Sequence, residues 1–78
     1  MIVKIRFKDF GTTASVILNT TGIRFTPDII IIAFKTDFDA KSAFQMLNNN
    51  TKNKFSICLL YDVILINVID VIDCICES

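Results

Sequence analysis

The residue types able to do chemistry gather in a few places. Cys74 and Cys76 stand one residue apart, with Asp70 and Asp73 just ahead of them. Thiolates and carboxylates are zinc ligands, but zinc takes four, usually from Cys and His. The chain has three cysteines and no histidine, so such a site would need Cys58 and ligands from a second molecule. Cysteine is also commonly buried as a small hydrophobe, and the C-x-C spacing differs from the C-x-x-C of redox motifs. Cys58, Cys74 and Cys76 are therefore read as ordinary thiols, and no metal or cofactor is expected.

Catalysis has little to build on. Without histidine there is no side chain whose ordinary pKa lies near neutrality. Asp37 and Asp39 look like paired carboxylates, but both sit where a helix begins, and the positive end of its dipole accounts for them. Two glycines cannot form a phosphate-cradling loop, and no serine stands in a nucleophile elbow. The expectation is that the protein is not an enzyme.

Charge offers a second kind of chemistry. Lys4, Arg6 and Lys8 alternate along one stretch, and Arg24, Lys52 and Lys54 could join them. With an exposed Phe10 or Phe25 they would form a basic patch with a stacking aromatic, as in single-strand nucleic-acid binders. The last 17 residues hold Asp62, Asp70, Asp73 and Glu77 with no cation. Two explanations compete. Either the two ends lie side by side and neutralise each other, or they form separate basic and acidic faces that meet different surfaces.

The elements that must position these groups are readable. Ile2–Lys8 alternates apolar and basic residues, the period of a half-buried strand. Asp9-Phe10-Gly11-Thr12 supplies a turn, and Thr13–Asn19 alternates again, completing an N-terminal hairpin. A short strand is expected at residues 23–26, stopped by Pro27. Ile29, Ile30, Ile31, Ile32, Ala33 and Phe34 then run on without alternation. A strand sends successive side chains to opposite faces, so this one should be central and buried on both faces. A helix over residues 37–48 follows, with Thr36 as N-cap and Ala40, Ala43, Phe44 and Leu47 as its apolar stripe. Asn48, Asn49 and Asn50 are its expected stop.

Beyond the polar loop around Thr51 to Lys54, residues 55–61 alternate as a strand. The tail is ambiguous. Its Val, Ile and Cys content favours strand over 63–76, while Asn67, Asp70, Asp73 and Glu77 recur at helical spacing. If the tail is a strand, the sheet has one helix for two faces.

These elements compose an α+β domain: a small, mostly antiparallel sheet of roughly four to six strands with one helix packed on it. At 78 residues it is one domain, near the small end of what folds alone. Its residues are 53% hydrophobic and its mean hydropathy is +0.57. So small a domain cannot hide that much apolar surface within itself, and exposed apolar patches mark interaction sites.

A membrane span is not expected, since the apolar run from Ile57 to Ile69 is broken by Asp62 and Asn67 and is too short. The alternating Met1-Ile2-Val3-Lys4-Ile5-Arg6 lacks the continuous apolar core of a secretion leader, and three thiols suit the cytoplasm. Abundant Ile, Asn, Lys and Phe imply A/T-rich codons, as in low-GC bacteria and their phages. The function expected is a small cytoplasmic protein-binding module, forming a homodimer or occupying a partner's surface. A phage or mobile-element inhibitor of a host or defence protein is its most concrete version, comparable to anti-CRISPR proteins in size alone. Lys4, Arg6, Lys8, Asp70, Asp73 and Glu77 would carry the contact. The alternative is a nucleic-acid binder using Lys4, Arg6, Lys8, Lys52 and Lys54.

Overall fold

Alternation of apolar and polar residues sets up the first strand pair. Val3, Ile5 and Phe7 are fully buried on β1 (Ile2–Lys8), and Val16 and Leu18 on β2 (Thr13–Asn19). The two strands pair antiparallel, with Val3 opposite Leu18 and Ile5 opposite Val16. The computed structural model describes residues 1–8 and 13–77, with no side-chain detail at 13 and 14. The turn expected at Asp9 to Thr12 lies outside the described residues.

The remaining strands are β3 (Gly22–Phe25), β4 (Ile29–Ala33), β5 (Ile57–Leu60), β6 (Val63–Asn67) and β7 (Val71–Glu77). They form two antiparallel sheets, one ordered β2-β1-β7 and the other β3-β4-β6-β5. The architecture is α+β, with seven described strands and a second sheet that the local patterns did not separate from the first. The inner faces share one core: Val3, Ile5, Phe7, Val16 and Leu18 from the first sheet, and Ile30, Ile32, Ile57, Ile64 and Ile66 from the second. Phe7 stacks on Phe55, with ring centroids 5.3 Å apart, which anchors the approach to β5.

Helix α1 (Asp37–Asn50) packs on β5, β2 and β6 through Ala40, Ala43 and Leu47. Its start follows the sequence: the Thr36 hydroxyl accepts a hydrogen bond from the Asp39 N–H at 3.1 Å. Its end differs. The three asparagines stay near the helix end and Thr51 closes it, its hydroxyl donating to the Leu47 carbonyl at 2.7 Å. The left-handed conformation falls to Lys52 and Asn53, with φ of 55° and 58°.

The tail is strand. Between β6 and β7 a single 3₁₀ turn, Val68–Asp70, advances the chain at a period of three, and the β1–β7 register shifts at Arg6 and Phe7. Asn67 ends β6, Asp70 closes the 3₁₀ turn and Asp73 lies on β7, so their helix-like spacing in sequence marks no shared face. β4 corrects a second expectation. Ile30 and Ile32 are buried, whereas Ile29, Ile31 and Ala33 point outward and keep partial exposure. With the tail forming β6 and β7, no second α-helix among the described residues covers that side.

Candidate interaction surface

The outer face of the four-stranded sheet can be read row by row from strand register. One row runs Arg24, Ile31, Leu65 and Cys58 across β3, β4, β6 and β5; the next runs Gly22, Ala33, Val63 and Leu60. Ile29 and Asn67 form a third, shorter row. Among the described residues of this face Arg24 is the one charged side chain, and no element packs across it. Leu60 is 54% exposed. The apolar side chains of this face lie side by side, Leu60 and Cys58 exposed and Ile29, Ile31, Ala33, Val63 and Leu65 partly exposed.

The β5–β6 turn extends it. Tyr61 is 78% exposed and takes φ of 55°, a left-handed conformation that is costly for a bulky residue. The turn therefore holds an aromatic ring outward in a position where glycine or asparagine would be easier. Tyrosine is among the side chains enriched where interfaces concentrate their binding energy. Asp62 beside it ties the turn down, its carbonyl accepting from the Phe34 N–H at 2.9 Å.

On the other side of the molecule, the outer face of the three-stranded sheet gathers most of the charged residues singled out in the sequence. Lys4, Arg6 and Lys8 share that face of β1, and Asp73 and Glu77 flank them on β7. The Arg6 guanidinium grips the Asp73 carboxylate through two contacts, Nε donating to Oδ1 at 2.7 Å and Nη2 meeting Oδ2. That hydrogen bond, more than the charge attraction that adds to it, holds the Asp73 carboxyl below the usual carboxylate range. The two charged chain ends therefore do lie side by side. Exposed Ile2, Ile17 and Ile75 interrupt the charges, so the face is mixed and is not a basic strip. Asp70 sits apart in the 3₁₀ turn, and Lys52 and Lys54 follow α1.

The thiols do not converge. Cys58 belongs to the outer face of the four-stranded sheet, while Cys74 and Cys76 are on β7. Burial, with the neighbouring Cys76 adding to it, pushes the Cys74 thiol up to about 11. Among the described residues no three His, Cys, Asp or Glu side chains group to hold a metal, and no helix is long and apolar enough to cross a membrane.

The chain matches no family model, no curated protein and no solved structure. Composition called for an exposed apolar surface, but the residues that form this one were not among those singled out. Its signal was present in the unbroken run at residues 29–34, but a doubly buried strand and a strand with one open face have the same local pattern.

Proposed function

We propose that this is a non-enzymatic protein-binding module that acts by laying the outer face of its four-stranded sheet against a protein surface. The observation that carries the reading is the row structure of that face: Ile29, Ile31, Ala33, Val63, Leu65 and Leu60 lie together, with a single charge at the margin. Interface cores are depleted in charge and enriched in apolar and aromatic residues, and Tyr61 supplies the aromatic at the edge.

The charged face of β1 and β7 has a secondary place in this reading. A nucleic-acid surface would need free cations facing phosphates, whereas Arg6 is engaged by Asp73 and Glu77 shares its face. A cytoplasmic setting suits three free thiols, and the role of a mobile-element inhibitor is one version of such a module.

The test is a photoreactive residue placed at Leu65, with a second at Ile17 as control, in protein expressed in its source host. Protein adducts from position 65 are expected. Adducts from position 17 alone, or from neither, would sink the reading.

A further inference from the structure

Strand β2 is an edge of the three-stranded sheet, and its last pairing fixes which way each of its backbone groups points. The Thr20 N–H donates to the Met1 carbonyl at 2.8 Å, and the Met1 ammonium donates to the Thr20 carbonyl at 3.1 Å. Met1 and Thr20 are thus a hydrogen-bonded pair. Bonded and non-bonded pairs alternate along an antiparallel ladder, so the β1–β2 register settles the rest. Val16 and Leu18 bond to β1, while Ser15, Ile17 and Asn19 turn their N–H and C=O groups outward. Among the described residues no backbone group meets these.

Sheet edges are usually blunted by charge, proline, bulges or brevity. β7 carries Asp73, Glu77 and a register shift, and β3 and β5 have four residues each. β2 has none of these devices: its seven residues hold no charge and no proline, and they pair with β1 in unbroken register. Helix α1 adds a wall beside it. A groove of about 310 Å³ touches Ile17 and Asn19 from the outer face of β2, Leu18 from the inner face, and Asp39, Ala43 and Met46 on α1. A hollow that meets both faces of one strand lies along its edge. Asp39 is the one charged residue lining it, and among the described residues no cation pairs with its carboxylate.

We propose that the β2 edge takes up an extended segment of another protein as an added strand, one that brings an apolar side chain to Ala43 and Met46 and a lysine or arginine to Asp39. A polypeptide backbone supplies donors and acceptors at the spacing of Ser15, Ile17 and Asn19. Strand addition takes its affinity from those main-chain bonds and its specificity from alternate side chains. Segment residues opposite Ile17 and Asn19 point to the outer face, and the residue between them, opposite Leu18, points toward α1. A second copy of β2 would bring no cation to Asp39, so charge favours a foreign segment. This site stands apart from the face of the four-stranded sheet, and each can fail without the other.

Amide hydrogen exchange by NMR tests it, with terminally blocked heptapeptides that alternate Val or Leu with Lys, Glu or Thr. In the free protein the Ile17 and Asn19 N–H groups should exchange fast, and those of Val16 and Leu18 slowly. Lysine-bearing peptides should protect Ile17 and Asn19, and should bind about three-fold or more tighter than their glutamate counterparts, the effect of an exposed ion pair. Asp39→Lys should reverse that order. N-methylating alternate peptide residues should abolish binding in one phase and spare it in the other. Ile17→Pro removes an N–H that the β1 ladder does not use and should abolish binding with Val16 and Leu18 still protected; should that variant not fold, the N-methylated peptides carry the test. No peptide protecting Ile17, indifference to the phase of N-methylation, or no charge preference would overturn the proposal. Protection of Ile17 and Asn19 in the protein alone, lost on dilution, would place a second copy at this edge and overturn the foreign segment.

Discussion

Arg6 on β1 and Asp73 on β7 face each other across the strand pair, with Nε of one donating to Oδ1 of the other at 2.7 Å. Because Asp73 ionises more readily here than in the unfolded chain, it stabilises the fold above the unfolded carboxylate pKa, about 3.9. That contribution is lost as pH falls through the lowered folded value. The pair is exposed, so the effect is small and shrinks with salt. Carboxyl carbon NMR should show Asp73 titrating below the ordinary carboxylate value of about 3.9. In Arg6→Gln it should return toward about 3.9; an unchanged midpoint would deny the bond its role.

Core and face should respond to truncation in opposite ways. Leu47 is fully buried between α1 and the sheets, and Leu47→Ala should cost about 2–5 kcal/mol, much of the stability of a domain this size. Leu60→Ser should change stability by no more than about 0.5 kcal/mol. Tyr61→Asn should raise it by about 0.5–1 kcal/mol, since asparagine tolerates the left-handed backbone. Chemical denaturation measures all three. A large loss from Leu60→Ser would mean that this surface serves the fold.

The helix start offers a smaller, cleaner effect. Thr36→Ala removes the acceptor for the Asp39 N–H and should destabilise by about 1 kcal/mol, with Thr36→Ser close to wild type. Thermal melting separates them.

Thiol reactivity should rank the cysteines. Cys74, half-buried and pushed up to about 11, is almost wholly protonated at neutral pH, and the thiolate is the nucleophile. Exposed Cys58 and Cys76 should be alkylated first, as followed by peptide mass spectrometry. Cys74 reacting as fast as Cys58 would contradict its environment.

Much of this fold was legible because its early elements obey local rules. β1 and β2 alternate without a break, and Thr36 precedes a stripe of Ala40, Ala43, Phe44 and Leu47 that a helix must bury. What was not legible depends on partners distant in sequence. The tail imitated a helix through spacing alone, since Asn67, Asp70 and Asp73 fall on β6, the 3₁₀ turn and β7 and share no face. The division into two sheets follows from β7 returning to β1 across nearly the whole chain, which no window of residues records. The candidate face was hidden for the same reason: Ile31, Leu65 and Cys58 become neighbours only through register. The pairing of basic and acidic ends, by contrast, was foreseeable from their charges, and Arg6 with Asp73 realises it.

Isoleucine methyl groups report on every surface in contention. Ile29 and Ile31 lie on the outer face of the four-stranded sheet, Ile2, Ile17 and Ile75 on that of the three-stranded sheet, and Ile30, Ile32, Ile64 and Ile66 in the core. The most direct measurement is the spectrum of methyl-labelled protein as unlabelled extract of its source host is added. Shifts concentrated at Ile29 and Ile31 are expected. Shifts confined to Ile2, Ile17 and Ile75, or a spectrum that does not change, would contradict the assignment of the binding face.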